Sequence, residues 1–164
     1  MGFIDTAPGK ELSVFYNVIH AVGANCPNAR DDVKLIQYML MAFYDRAVTS
    51  GLTRPSGDIA VTGYCGPATM NWILSFQRDY GKGHPGEIMV DNRVDRIRDK
   101  SSFMGSISKT YYTLAVLNAS VKKQNPEAFV LLPGLIPLEN PLNVPPPGWD
   151  TVGQPQIVPA SGGM

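Results

Sequence analysis

The sequence predicts a mainly α fold: a small helical domain led in by an extended strand and followed by a proline-rich arm. Three observations predict it. Apolar residues recur at three- and four-residue spacing over 29–47 and again over 67–80, the period of helices that bury one face. A third stripe of the same period runs through 103–124. Nine of the fourteen prolines crowd into residues 126–164, a density that helices and central strands do not tolerate. At 164 residues the chain is long enough for one domain and short for two.

Each element has its own signal. Over 12–22, Val14, Tyr16 and Val18 alternate with Phe15, Asn17 and Ile19, which reads as a strand within an extended segment spanning 1–27. Gly23 to Asn28 is a loop by composition, with Asn28 placed to cap the first helix. Asp31 and Asp32 fall in its first turn, where free amides favour carboxylates. Val33, Ile36, Leu40, Phe43, Tyr44 and Ala47 form the apolar face of a helix over 29–47. Residues 48–63, with Gly51, Pro55, Gly57 and Gly63, form a loop of a length usually functional or mobile.

Gly66-Pro67 opens a second helix, because proline lacks an N–H that would be unpaired in the first turn anyway. Trp72, Ile73, Phe76 and Tyr80 share its face, Trp72 as a core residue, and Gly81 ends it. Ile88 and Val90 suggest a short extended piece, and Asp91 a cap for a short helix reaching Asp99. Ile107, Tyr111, Leu114, Leu117 and Val121 give an additional helix over 103–124, with Lys122 and Lys123 at its C-terminal dipole. Asn125-Pro126 ends it, since the residue before proline is pushed out of the helical region. The helical domain thus spans 28–125 and the arm 126–164. The arm is apolar without a core of its own, so it should lie on a surface, either its own globule or a partner; Leu131, Leu132, Leu135, Ile136, Leu142 and Trp149 are the residues expected to bind a partner.

Composition narrows the function. Fourteen basic residues balance fourteen acidic ones, which leaves no field to steer the chain onto nucleic acid or an anionic membrane. No stretch approaches the roughly 20 apolar residues of a membrane span. The first residues carry Asp5 and Glu11 and no basic stretch ahead of an apolar one, unlike a signal peptide. Cys26 and Cys65 read as buried free thiols, with a single bridge as the alternative. His20 and His84 are the only histidines and stand in no metal-ligand spacing. Glu87 and Asp91 are a carboxylate pair of the sort chance supplies, and no glycine-rich phosphate loop is present. The run Arg93, Arg96, Arg98 and Lys100, interleaved with Asp91, Asp95 and Asp99, reads as a solvated, salt-laced helix. These readings predict no enzyme activity, no cofactor and no metal.

Two blocks point further. Asp32-Val33-Lys34-Leu35-Ile36-Gln37-Tyr38-Met39-Leu40 is followed by Val61-Thr62-Gly63-Tyr64-Cys65-Gly66-Pro67-Ala68-Thr69, running on to Ile73, Phe76-Gln77 and Tyr80-Gly81. Together they resemble the "DVxxLQxxL" and "DGxFGxxTxxAVxxFQxxxGL" blocks of the peptidoglycan-binding domain family. Gly86-Glu87-Ile88-Met89-Val90-Asp91 is similar to that family's lead into a last short helix. The resemblance covers about 28–98 and implies a three-helix core built on Val33, Ile36, Leu40, Ile73 and Phe76. In it Gln37 and Gln77 tie loops through amide hydrogen bonds, and the Thr69 hydroxyl reaches nearby backbone. It departs at Thr62, where the family has aspartate. Tyr64, Asn71 and Arg78 are the residues it offers for ligand binding.

The expectation that follows is a non-catalytic structural protein of a phage virion, phage tail or injection-type particle. Its partners would be protein subunits in multiple copies, and it would reside in a virion or extracellular particle, or otherwise in the cytoplasm. The alternative is a soluble module that recognises peptidoglycan, or an accessory of a wall hydrolase.

Overall fold

A computed structural model describes residues 2–10, 12–47, 49 and 51–135, with the backbone alone for 133–135. The expectations for Ile136, Leu142 and Trp149 lie outside the described residues, as does the side chain of Leu135. The described chain is helix-rich with a few short strands. Its order is β1 (Phe3–Thr6), β2 (Val14–Asn17), β3 (Val22–Gly23), α1 (Arg30–Ala47), α2 (Pro67–Gly83), β4 (Arg93–Val94), α3 (Thr113–Gln124) and α4 (Pro126–Leu135).

Helix α1 is the centre. Val33, Leu35, Ile36, Met39, Leu40 and Tyr44 are buried on it, and α2, α3 and α4 all pack against it. The five residues expected to meet in a three-helix core are all buried in one cluster. Edge-on aromatic contacts tie the helices: Phe43 with Phe76, and Tyr44 with Trp72, at ring separations of 5.1 and 5.5 Å. Such pairs add about 0.5–1.5 kcal/mol each beyond the area they bury.

The N-terminal segment is a hairpin and not a single strand. β1 and β2 pair antiparallel, with Ile4 opposite Tyr16 and Asp5 opposite Phe15. Its free edge is closed by side chains. Asn118 of α3 donates to the Tyr16 carbonyl and accepts from the Tyr16 amide, at 2.9 and 2.7 Å. Asn17 does the same for the backbone of Ile97, both bonds at 3.0 Å. Buried strand amides must find partners, and these two amide side chains supply them.

Several boundaries shift from the sequence expectation, each for a local reason. Asn28 does not cap α1; at φ +52° it turns back, and its side chain holds both backbone groups of Gly23. The buried carboxylate of Asp32 accepts instead from the amides of Ile19 and His20. Helix α2 runs through Gly81 to Gly83, where the His84 amide closes on Tyr80. The helix expected over 91–99 is absent; Arg93–Val94 pairs with β3, since Val22 lies opposite Val94 and Gly23 opposite Arg93. Gly23 is required there: at φ +127°, a Cβ would sit 2.1 Å from the Asn92 carbonyl oxygen. Helix α3 begins at Thr113, not at 103. Residues 103–112 form a turn closed by a bridge between Met104 and Tyr111, and Ile107 is 96% exposed instead of lining a helix.

The largest correction concerns the start of the arm. Residues 126–135, expected to be extended, form α4, and Leu132 and Phe129 are buried on the chain's own core. Pro126 takes the first helical position. The Asn125 side chain accepts from the Ala128 amide as a cap and donates to the Ala42 carbonyl. A second proline, Pro133, sits inside the same helix. It removes the N–H that would bond the Phe129 carbonyl four residues back. The Tyr16 hydroxyl donates to that carbonyl instead. A side chain from the hairpin thus substitutes for a helical hydrogen bond that proline deletes.

Candidate functional site

The α1–α2 junction carries the resemblance described above. Gln37, buried on α1, holds the 62–64 turn from both ends of its amide. Its oxygen accepts from the Thr62 and Gly63 amides, each at 2.9 Å, and its nitrogen donates to the Tyr64 carbonyl and the Thr69 hydroxyl at 2.9 and 3.0 Å. Gly63 is at φ +84°, and a Cβ there would lie 2.4 Å from Arg30 Cγ. Gln77 on α2 repeats the device. It accepts from the Asn92 amide and donates to the Asp91 carboxylate, the Arg93 carbonyl and the Thr113 hydroxyl, at 2.9–3.1 Å. Both glutamines therefore tie coil to helix through amide hydrogen bonds, as the sequence reading expected.

The three residues offered for ligand binding have different fates. Tyr64 is 73% exposed, its ring lying over Gly66. The Asn71 amide is engaged by the Ser56 carbonyl and hydroxyl at 3.1 and 3.3 Å. Arg78, seven residues further along the same face of α2, is exposed and has no polar partner among the described residues. None of the three lines either of the two concavities below. The 51–63 loop above them is pinned: besides Asn71 and Gln37, the Trp72 indole donates to the Gly57 carbonyl at 2.6 Å, and the Arg54 guanidinium lies over the Trp72 ring. Trp72 is core, as expected.

The larger concavity, about 730 Å³, lies between the C-terminal half of α2, the outer face of α3 and the 101–111 turn. Phe43 and Phe76 form its floor, and Phe103, Tyr80 and Tyr111 its sides. Two carboxylates sit on its rim, and each already accepts a tyrosine hydroxyl: Asp79 from Tyr44 at 2.6 Å, Glu87 from Tyr80 at 2.9 Å. Burial, and then the bond to Glu87, push the Tyr80 phenol up to about 12; burial and Asp79 push Tyr44 higher still. His84 stacks on Tyr80 with ring centres 4.2 Å apart. Lys10 and Lys123 complete the rim without a carboxylate partner among the described residues.

A smaller basin of about 550 Å³ lies beside β4 and is lined by Asp91, Arg93, Asp95, Arg96 and Arg98 of the run read as a salt-laced helix. Arg93 pairs with Asp95 at 3.2 Å and Lys100 with Asp5 at 3.0 Å, but on extended and turn backbone. Asp99 accepts from the hydroxyls and amides of Ser101 and Ser102, which bring its carboxyl down to about 2. Cys26 and Cys65 are free and half-buried, and burial pushes both thiols up. His20 lies 3.5 Å from Asp32. Among the described residues no group of three or more His, Cys, Asp or Glu is placed to hold a metal ion, and no helix is long and apolar enough to cross a membrane.

Of the arm residues that α4 brings into view, Leu131 is 60% exposed and Val130 74%, whereas Leu132 faces inward and is corrected from a partner-binding to a core residue. Sequence reasoning missed the tyrosine-lined concavity, whose walls come from five separate stretches. It also missed α4, although Asn125-Pro126 carries the cap-then-proline signature of a helix start. No protein-family model matches the chain, and neither does any curated protein or solved structure.

Proposed function

We propose that this chain is a non-catalytic building block of a multi-copy particle such as a phage virion, phage tail or injection-type particle, and that its C-terminal segment holds neighbouring subunits. One observation carries the reading: the root of that segment is locked while its outer face stays apolar. Phe129 and Leu132 are buried in the core, Asn125 and Tyr16 bond the root to α1 and β2, and Val130 and Leu131 point outward. A fixed base followed by the apolar, proline-stiffened stretch 136–149 suits a strap that reaches a neighbour.

A second reading, a module that recognises peptidoglycan, is favoured by the Gln37 clamp on the 62–64 turn and by the exposed Tyr64 beside it. Its fold would be the three-helix peptidoglycan-binding type, to which α1, α2 and their linking turn correspond in order.

The test is sedimentation of the full chain beside a chain ending at Leu135, with both also mixed with purified sacculi. The expected result is self-association of the full chain, monomers of the shortened one, and no retention on sacculi. Equal association by both would end the strap reading; retention of a full-length monomer on sacculi would establish the second.

A further inference from the structure

We propose that the tyrosine-lined concavity between α2, α3 and the 101–111 turn is the socket for the proline-rich stretch 141–150 of a second copy of this chain. The inference rests on the strap reading above and names the surface the strap would meet.

The lining chemistry fits this occupant. Proline-rich peptides bind grooves walled by aromatic rings, because the ligand is already extended and loses little freedom on binding. Here Tyr80, Phe103 and Tyr111 stand around a floor of Phe43 and Phe76, in a cavity of about 730 Å³. The stretch Pro141-Leu142-Asn143-Val144-Pro145-Pro146-Pro147-Gly148-Trp149-Asp150 supplies four prolines and one large aromatic anchor.

Charge points the same way. Residues 136–164 carry Glu139 and Asp150 and no lysine or arginine. On the rim, Asp79 is bonded by Tyr44 and lies 3.7 Å from Lys82, and Glu87 is bonded by Tyr80. Lys10 and Lys123 face the opening without a carboxylate among the described residues. With Lys82 counted beside Asp79, the rim sets three lysines against the carboxylates of Asp79 and Glu87, a small positive excess opposite a strap that carries only acidic side chains.

Geometry favours a second copy over the chain's own strap. At the start of α4, Asn125 bonds the Ala42 carbonyl; three residues later, the Ala128 carbonyl accepts from Tyr38. Helix α4 thus advances along α1 toward α1's N-terminal end. The socket lies at the other end, bounded by Phe43 and Leu52. A strap folding onto its own socket would have to reverse at the end of α4 and run back along the ten residues of that helix, about 15 Å at 1.5 Å per residue. A second copy offers the same stretch without that reversal, in a head-to-tail contact that propagates or closes into a ring.

The experiment places a photo-crosslinking p-benzoylphenylalanine at position 149 of the full chain. Equal amounts of ordinary and ¹⁵N-labelled chains are mixed, irradiated and mapped by mass spectrometry. Crosslinks between light and heavy chains, landing on α3 residues 116–124 or on 101–111, are expected. Ala119→Trp combined with Lys123→Glu, both at exposed positions on the socket wall, should weaken self-association at least tenfold and remove those crosslinks. Crosslinks within one chain, or to any other surface, overturn the socket. So does unchanged association of the double variant when the chain ending at Leu135 is monomeric, which leaves the strap reading standing. Association that survives loss of 136–164 overturns both.

Discussion

Removing one oxygen tests how α4 tolerates its internal proline. In Tyr16→Phe the ring stays, edge-on to Phe129 with centres 4.9 Å apart, and only the hydroxyl bonded to the Phe129 carbonyl is lost. That carbonyl has no helical donor, because residue 133 is proline. Leaving a buried acceptor unpaired costs about 1–3 kcal/mol, and Phe129 is 7% exposed. A loss of about 2 kcal/mol is therefore expected, read as a shift in the urea midpoint at constant slope. Restoring the missing donor supplies the decisive control. In Pro133→Ala the residue 133 N–H can bond Phe129, so adding Tyr16→Phe to that background should cost little. The double-mutant cycle should give a coupling of about 1–2 kcal/mol, within the range of residues sharing one hydrogen-bond network. Identical costs of Tyr16→Phe in both backgrounds would refute the substitution of hydroxyl for amide.

Two other perturbations follow from the same structure. Gln37→Leu removes the clamp on the 62–64 turn and leaves the buried Thr69 hydroxyl without its donor, so a loss of about 2–4 kcal/mol is expected; a thermal midpoint within 1 °C of the parent would refute the clamp. Stability should also fall from pH 10 upward, because Tyr44 and Tyr80 hold folded-state values above the ordinary phenol value. Below pH 10 both phenols are neutral folded or unfolded; above it only the unfolded chain releases their protons, so the folded state is penalised as pH rises. Urea midpoints between pH 8 and 11.5 should fall less steeply for Tyr44→Phe than for the parent, and parallel curves would contradict the assignment.

Helices α1 and α2 were legible because their apolar residues repeat every three or four positions and their flanking signals are local. The two glutamines were legible through their place in the blocks. What stayed hidden depends on partners far along the chain. Asn118 completes a strand edge 102 residues away, and no period in the sequence announces that. The stripe that ran through Ile107, Tyr111 and Leu114 has helical spacing, yet the bridge between Met104 and Tyr111 outcompetes helix formation up to Thr113. The prolines of 126–164 masked α4, since one of them starts that helix and another is compensated by Tyr16. The bond from the Asn71 amide to Ser56 is of the same kind, a contact only the folded loop reveals.

The direction in which α4 lies along α1 has a mechanical consequence. A pull on the segment beyond Leu135 is transmitted along the length of α4, so it loads Phe129, Leu132 and the Asn125 and Tyr16 bonds together in shear. Contacts loaded in parallel yield at higher force than contacts peeled one by one. Under the proposed strap reading, α4 would be the point at which tension from a neighbouring subunit enters the four-helix core.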